Sequence, residues 1–386
     1  MLVSHKDIID RIKSDKEINF VAFAMTPWHA IGCNASLLKL KNDISFLKGF
    51  IILPDRSNSE NQLLRQQNFA ILKDNNVQYE LLYHDGRVFS SSKSDNIKTK
   101  IDSIKYFASH EKGVRRIYIL SPLSINDVFV SRLKKALPEA DIINVVVDEG
   151  LGSYMRSDFN WAVEQYHNTK SVKEFIRCLF DLQKKKLFTK KSQKRNEYIN
   201  NNLLIKSSNG FKENNDITEY YKQVIGQDKI YKVKYKDYEN AAVISAQLYF
   251  EDGQIKKDAD LELYKSVISA FAEKGISVVF KPHPRDKDLS RYECLNCIVD
   301  NDNTVSQEII FASLPVKPCV VLSFTSTGLV TSNLFYDIKT ASLNRLLKNE
   351  NVQLTLQNEF SNFEKAFGNV VFVPKAMEDL IEYVIN

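Results

Sequence analysis

Two adjacent carboxylates, Asp148 and Glu149, follow the apolar stretch Asn144–Val147 and precede Gly150. Like charges at this spacing raise one of the two pKa values, and burial at a strand end raises it further. A carboxylate tuned in this way is suited to act as a general base near neutral pH. The alternative is an acidic helix cap without a catalytic role. The pair is therefore a first candidate for proton abstraction.

A histidine lies between two prolines in the stretch Lys281–Arg285, directly after an apolar run. Pro282 and Pro284 restrict their own backbone and that of the preceding residue, which holds His283 in an extended turn. A fixed hydrogen-bond donor flanked by two cations is suited to a phosphate or a carboxylate. A structural histidine is the alternative.

A cluster of hydroxyl side chains enters a predicted helix shortly before Gly328. Hydroxyls and unpaired backbone N–H groups at a helix N-terminus form an anion site, although an ordinary N-cap explains one of these hydroxyls. The predicted phosphate-binding residues are His283, Pro284, Lys281, Ser323, Thr325, Ser326 and Thr327.

Two weaker sets of polar and aromatic residues follow other predicted strands. The first set lies in Thr26–His29. The alternative is that Pro27 begins a helix and that Trp28 packs against the core. The second lies in Gln247–Phe250, whose polar and aromatic groups suit a nucleobase. The candidates for the acceptor or nucleobase side are Thr26, Trp28, His29, Gly150, Gln247 and Tyr249.

Short apolar runs alternate with helical patterns in both halves of the chain, which predicts parallel sheets covered on both faces. Predicted strands are 18–25, 46–54, 77–84, 115–123, 140–150, 241–247, 276–284, 297–301, 318–328, 338–343 and 369–374. Ligands of open parallel sheets bind beyond the carboxyl ends of the strands, where the candidate residues lie.

The same alternation divides the chain of 386 residues into three parts. Residues 1–169 and residues 236–386 are each predicted to form a Rossmann-like domain. Residues 170–235 are basic and rich in Asn and Lys, and we expect a linker or lid there.

The net charge of +5 is local, because seven basic residues and no acidic one lie in 184–195. This distribution argues against a nucleic-acid surface. The run follows an amphipathic pattern and is predicted to be a solvated segment, a surface for an anionic inner leaflet or a contact for a polyanion. Its members are Lys184, Lys185, Lys186, Lys190, Lys191, Lys194 and Arg195.

Several protein classes lack support in this sequence. There is no GxGxxG, P-loop, HExxH or GxSxG motif, so dinucleotide, NTP, zinc-protease and hydrolase functions are not indicated. No apolar run approaches the roughly 18–20 residues of a transmembrane helix. Five unevenly spaced cysteines and no secretory signal pattern predict a reducing cytoplasm.

The three motifs together resemble those of the bacterial sialyltransferases and polysialyltransferases. That family carries an acidic-acidic-Gly motif, a His-Pro motif and a downstream serine motif on a GT-B fold, in which two Rossmann-like doubly wound domains face a central cleft. Here the motifs correspond to Asp148–Gly150, His283–Pro284, and Ser323 with Thr325–Ser326, within about 21–343. The serine motif departs from the family in reading Thr-Ser-Thr.

The resemblance implies an inverting transfer of sialic acid from CMP-sialic acid to a lipooligosaccharide, capsular or polysialic acceptor. Glu149 is then the general base, Asp148 orients it, and His283 gives a hydrogen bond or a proton to the departing phosphate. A single phosphate needs no divalent cation, so we expect no cofactor and no metal. The resemblance also makes residues 1–169 the acceptor-side domain and residues 236–386 the domain that binds the nucleotide sugar. The implied location is cytoplasmic, with the inner membrane as a peripheral contact.

Three alternatives remain open from the sequence. Similar Lys-Pro-His-Pro turns occur, by resemblance, in Kdo transferases and in polymerases that use CDP-glycerol. A membrane-docked scaffold without catalysis is the third. Neither the linkage formed, the acceptor, nor the number of sugars added follows from the sequence.

Overall fold

The computed structural model describes residues 3–54, 69–84, 115–122, 127–148, 150–151, 154, 176, 198–207, 210–227, 233–286, 288–302 and 305–386. The chain forms two compact units. The first unit contains Met1–Leu203 and Asn214–Val224, and the second contains Leu204–Glu213 and Ile225–Asn386. The chain therefore passes from one unit to the other three times.

The first unit is built on a six-stranded parallel sheet of order β3-β2-β1-β4-β5-β6. Its strands are β1 (Phe20–Phe23), β2 (Leu47–Pro54), β3 (Val77–His84), β4 (Arg115–Ser121), β5 (Ala140–Val147) and β6 (Tyr198–Asn201). All four residues of the central β1 are buried, as expected for a strand covered on both faces.

Helices of the first unit pack apolar faces against this sheet. They are α1 (His5–Ser14), α2 (Pro27–Asp43), α3 (Ala70–Asp74), α4 (Asp127–Ala136) and α5 (Asn215–Gln227), whose last residues belong to the second unit. Ser4 begins α1 with a capping box, and Ile8, Ile9 and Ile12 form its buried stripe.

The second unit is built on a five-stranded parallel sheet of order β11-β10-β9-β12-β13. Its strands are β9 (Ala242–Ser245), β10 (Val278–Lys281), β11 (Ile298–Val299), β12 (Val320–Ser323) and β13 (Lys339–Ser342). An antiparallel hairpin, β7 (Leu204–Ser207) and β8 (Gly210–Glu213), joins this unit.

The helices of the second unit are α6 (Ala259–Ala272), α7 (Gln307–Ser313), α8 (Thr327–Tyr336), α9 (Leu354–Phe367) and α10 (Met377–Ile385). Short 3-10 turns occupy Val233–Tyr238, Leu289–Tyr292, Asn344–Leu346 and Asn349–Asn351. Within the described ranges, no helix is long and apolar enough to cross a membrane.

The predicted fold class is confirmed in its two Rossmann-like halves, because each unit contains a parallel sheet whose strand order reverses next to its first strand. The reversals lie between β1 and β4 and between β9 and β12. At each reversal the loops leave the sheet on opposite sides, which opens a crevice at the carboxyl edge.

Two stretches differ from the predicted elements. The described part of the predicted linker contains β6, the β7–β8 hairpin and α5, because backbone pairing and tertiary packing order a polar sequence. Residues 369–374, predicted as a strand, form only a bridge between Phe372 and Ala341, since the chain pairs with β13 at one position.

Candidate active-site residues in the two units

Asp148 is the centre of a hydrogen-bond cluster at the carboxyl end of β5. Its oxygens accept the indole N–H of Trp28 at 3.2 Å and the backbone N–H of Gly150 at 2.6 Å. They also accept the backbone N–H of Leu203 at 2.9 Å and the hydroxyl of Tyr154. One carboxylate thus joins the first turn of α2 to the chain that follows β5 and β6.

This cluster indicates what Asp148 does. Its side chain is 0% exposed and its oxygens are occupied by donors, so it fixes the shape of the turn that follows β5. Gly150 lies in that turn at a φ of +85°, which favours glycine. Glu149, the predicted base, lies outside the described residues.

Tyr221, on α5, is a neighbour of this cluster that the sequence did not indicate. Its hydroxyl and the Val147 side chain leave no room for a Cβ atom at Gly32, which would lie 2.5 Å and 2.4 Å from them. Its ring lies 5.6 Å from that of Trp28. Burial, and then the charge of Asp148, raise the pKa of Tyr221. The stripe of Ile217, Tyr221, Val224 and Ile225 was the available signal.

The stretch after β1 has a clear structural role. Thr26 caps α2, because its side chain accepts the backbone N–H of His29 at 3.1 Å, and Pro27 occupies the first helical position. His29 is buried and Trp28 is half-buried beside Asp148. The alternative interpretation of Trp28 as a packed side chain is thus supported, and its proposed contact with the acceptor stays a prediction.

His283 lies in the turn between β10 and the 3-10 turn that follows, Pro282–Asp286, here called the His-Pro turn. Its Nδ1 atom accepts the backbone N–H of Arg285 at 3.1 Å. Burial, and then Arg285, lower the pKa of His283 to about 4, against smaller opposing effects of Asp286 and Asp252. At neutral pH the ring is therefore uncharged, and its proton is on Nε2, which can donate a hydrogen bond.

Lys281 is committed elsewhere. Its ammonium pairs with the Asp300 carboxylate at 3.3 Å and lies 3.4 Å from the carbonyl of Asp302. The residue is 5% exposed, and burial lowers its pKa despite these carboxylates. Asp300 also accepts the Tyr238 hydroxyl at 2.6 Å. Lys281 therefore has a buried ion pair, and its contact with a phosphate stays a prediction.

Two hydroxyls of the serine motif are also occupied. Ser323 is 1% exposed and donates to the carbonyl of Ser245 at 2.7 Å. The hydroxyl of Thr325 donates to the Glu359 carboxylate at 3.0 Å and contacts the hydroxyl of Tyr249. These bonds fix the ends of β9 and β12 against each other. The two side chains hold the turn, and their contacts with a phosphate stay predictions.

Ser326 and Thr327 lie at the N-terminus of α8 and are half-buried. The Ser326 hydroxyl accepts the backbone N–H of Gly328 at 3.1 Å and caps the helix. These two residues remain at the carboxyl edge of β12, beside the crevice of the second sheet. The positive end of the helix dipole favours an anion at this position.

Gln307 is a further residue that the sequence did not indicate. Its buried amide accepts the Ser245 hydroxyl at 2.7 Å and donates to the carbonyl of Gly328 at 2.9 Å and to Ser332 at 3.0 Å. A Cβ atom at Gly328 would lie 2.3 Å from its Nε2 atom. Gln307 therefore connects β9 to the N-terminus of α8, and Gly328 is required for that approach.

The other predicted residues are placed as follows. Tyr249 is buried, and its hydroxyl also donates to Glu359 at 3.0 Å, while Gln247 is half-buried beyond β9. Pro284 is exposed in the His-Pro turn. Lys184, Lys185, Lys186, Lys190, Lys191, Lys194 and Arg195 lie outside the described residues. No group of three or more His, Cys, Asp or Glu side chains in the described part of the chain is arranged for a metal ion.

The chain is similar to a known protein family over most of its length. The model of the alpha-2,8-polysialyltransferase family matches residues 20–345, which include both motif-bearing sheets. This match assigns the chain to the glycosyltransferases of the sialyltransferase class. The chain belongs to the alpha-2,8-polysialyltransferase family, as the resemblance predicted.

Solved structures with a similar chain path include a sialyltransferase GT-B domain from Photobacterium damselae, at 11% identity and a TM-score of 0.44, covering 93% of this chain and 98% of that one. A UDP-GlcNAc 2-epimerase from Methanocaldococcus jannaschii, in complex with UDP-GlcNAc and UDP, has 11% identity and a TM-score of 0.48, covering 95% and 92%. Such low values identify no function. No curated protein sequence matches the chain.

Proposed function

We propose that the protein transfers sialic acid from CMP-sialic acid to a glycan hydroxyl, with inversion and without a metal ion. The family match over residues 20–345 is the observation that carries this proposal, because it spans the acidic, His-Pro and serine motifs. The proposed donor is CMP-sialic acid. The proposed acceptor is an oligosialic glycan or another capsular or lipooligosaccharide glycan.

Glu149 is the proposed general base, which takes the proton of the acceptor hydroxyl as this oxygen attacks the anomeric carbon. Asp148, the neighbour of Glu149 in the sequence, supports this role, because its hydrogen bonds tie the end of β5 to Trp28, Gly150 and Leu203. A well-placed base contributes roughly 10²- to 10⁴-fold to such a reaction. Trp28 and His29 are the proposed acceptor-side residues.

His283 is the proposed donor of a hydrogen bond to the phosphate of the leaving CMP. The bond from the Arg285 backbone to Nδ1 supports this role, since it directs the proton of the neutral ring to Nε2. Such a preorganised donor contributes about 3–4 kcal/mol where charge develops in the transition state. The bond to the anomeric carbon breaks as the phosphate takes this charge.

Ser326, Thr327 and the N-terminus of α8 are the proposed second contact with the same phosphate. Strands β10 and β12 lie on either side of β9, so their ends are about 10 Å apart. A phosphate above the end of β9 is then within reach of both the His-Pro turn and α8. Gln247, beyond β9, is the proposed nucleobase-side residue.

Two alternatives differ in the donor. CMP-Kdo is also a CMP-activated keto-acid sugar, and CDP-glycerol has the same nucleobase, so the same contacts would hold either. The third alternative, a scaffold without catalysis, would bind no nucleotide. Binding of CMP therefore separates it from the enzymes through a rise in unfolding temperature, since a ligand of the folded state stabilises by RT ln(1 + [L]/Kd).

The test is a donor panel of CMP-sialic acid, CMP-Kdo and CDP-glycerol with lactose and oligosialic acceptors, for the wild type and Glu149→Gln. We expect sialic acid transfer by the wild type and loss of transfer in Glu149→Gln, with CMP binding retained. Transfer from CMP-Kdo, without transfer from CMP-sialic acid, would show that the donor is CMP-Kdo. Full activity of Glu149→Gln would show that another group is the base.

A further inference from the structure

Besides the bond between Arg285 and His283, buried contacts of Asp286 hold the His-Pro turn. The backbone N–H of Asp286 donates to the carbonyl of His283 at 2.9 Å and closes the turn. The carboxylate of Asp286, a residue that is 7% exposed, accepts the backbone N–H of Asp288 at 3.2 Å. Its other oxygen accepts the Tyr292 hydroxyl at 2.6 Å. Asp286 thus connects the turn to a tyrosine of the core.

Tyr292 is itself held on several sides. It is 1% exposed, and its ring lies 4.6 Å from that of Phe280, on β10. The guanidinium of Arg291 lies 5.3 Å from the Tyr292 ring and pairs with Glu251 at 2.6 Å and with Asp260 at 3.0 Å. The tyrosine hydroxyl therefore has a fixed position relative to the sheet.

We propose that Asp286 and Tyr292 are positioning residues for His283, and that their hydrogen bond sets the orientation in which the imidazole meets the phosphate of the donor. This inference rests on the proposed function, because it requires His283 to act on that phosphate. A displacement of about 1 Å at a reacting group can cost roughly 100-fold in rate, so a buried anchor for the turn has a direct kinetic consequence.

The hydrogen bonds of Asp286, rather than its charge, carry this role. Its charge opposes the lowering of the His283 pKa, but burial and Arg285 outweigh it and the ring stays neutral. An asparagine at this position keeps one oxygen that accepts the Asp288 N–H, and its amide nitrogen can donate to the Tyr292 hydroxyl, which then acts as the acceptor. Removal of the side-chain polar group leaves the Tyr292 hydroxyl and the Asp288 N–H without this partner.

The test is a double-mutant cycle between Tyr292→Phe and His283→Ala, with kcat and KM for CMP-sialic acid measured in each variant. We expect Tyr292→Phe to lower kcat about tenfold or more in the wild-type background, with little change in KM, and to lower it no further once His283 is alanine. Asp286→Asn should keep kcat within about threefold, whereas Asp286→Ala should behave as Tyr292→Phe does.

Tyr238→Phe is the matched control, because Tyr238 is also 1% exposed and donates to a carboxylate, that of Asp300, at 2.6 Å. Asp300 pairs with Lys281 next to the turn, so this variant removes a matched buried bond while it leaves the contact between Asp286 and Tyr292 in place, and kcat should stay near the wild-type value. An equal fall of kcat in both backgrounds, or in Tyr238→Phe, would overturn the inference. Wild-type rates in His283→Ala would overturn the proposed function instead.

Discussion

Three substitutions of His283 distinguish two roles for its side chain, that of a hydrogen-bond donor and that of a general acid. Because Nδ1 accepts the Arg285 N–H at 3.1 Å, the neutral ring presents a donor at Nε2. Glutamine places its amide nitrogen near the position of Nε2, asparagine near that of Nδ1, and alanine at neither. None of the three can deliver a proton as an acid.

The expected magnitudes follow from the loss of one preorganised donor. Such a loss costs about 3–4 kcal/mol, or roughly 10²- to 10³-fold in kcat, and we expect it for His283→Ala and His283→Asn. His283→Gln retains the donor and should stay within about tenfold of the wild type. The pKa of about 4 predicts that protonation of His283 does not shape the wild-type rate between pH 5.5 and 8.

The assay is CMP release at saturating donor with an oligosialic acceptor, at several pH values, with thermal unfolding of each variant without ligand as the control for folding. Equal losses in His283→Gln and His283→Ala would refute a hydrogen-bond donor and support a general acid. A wild-type rate that declines above pH 6.5 and requires a protonated His283 would refute it as well.

Four further predictions concern single elements of the two units. Asp148→Asn should lower the free energy of unfolding in urea by about 1–3 kcal/mol, because an amide cannot accept all four hydrogen bonds; an unchanged value would contradict the cluster. Gln307→Leu should raise KM for the donor about tenfold with kcat less affected, since it frees the N-terminus of α8; an unchanged KM would count against this. Burial lowers the pKa of His5 from 6.5 to about 4, so only the unfolded chain binds its proton between those values. Stability should thus fall as pH falls from 6.5 to 4, by up to about 1.4 kcal/mol per pH unit for this group, and thermal unfolding of His5→Gln should depend less on pH. Replacement of the seven basic residues in 184–195 by Gln should reduce the fraction of protein that sediments with anionic vesicles, since each charge contributes about 1 kcal/mol to binding. If the wild type bound neutral vesicles as well as anionic ones, that result would contradict a charge effect.

Alternating apolar runs and helical patterns were sufficient to predict both parallel sheets, because strands buried on both faces have a continuous apolar sequence. The strand Val77–His84 was predicted with the observed bounds. Strand β6 could not be predicted in the same way, since Tyr198–Asn201 is polar and is held by backbone pairing to β5. Helix α5 was not predicted because its apolar residues lie within a polar stretch of sequence.

The motifs did not indicate which partners their side chains have in the folded chain. A lysine before the His-Pro sequence suits a phosphate, yet Asp300, which lies beyond the next strand, neutralises Lys281. Ser323 and Thr325 likewise find partners in Ser245 and Glu359, which are distant in sequence. Such pairings depend on tertiary structure, which a local pattern does not contain.

The most direct test of sialyl transfer is the incubation of the wild type with CMP-sialic acid and an oligosialic acceptor in the presence of EDTA, followed by NMR of the product. We predict release of CMP and a new sialyl linkage whose anomeric configuration is opposite to that of the donor, at the rate seen without EDTA. Retained configuration, or a rate that requires a divalent cation, would contradict the proposed chemistry. Bound CMP without transfer to any acceptor would contradict the proposed donor.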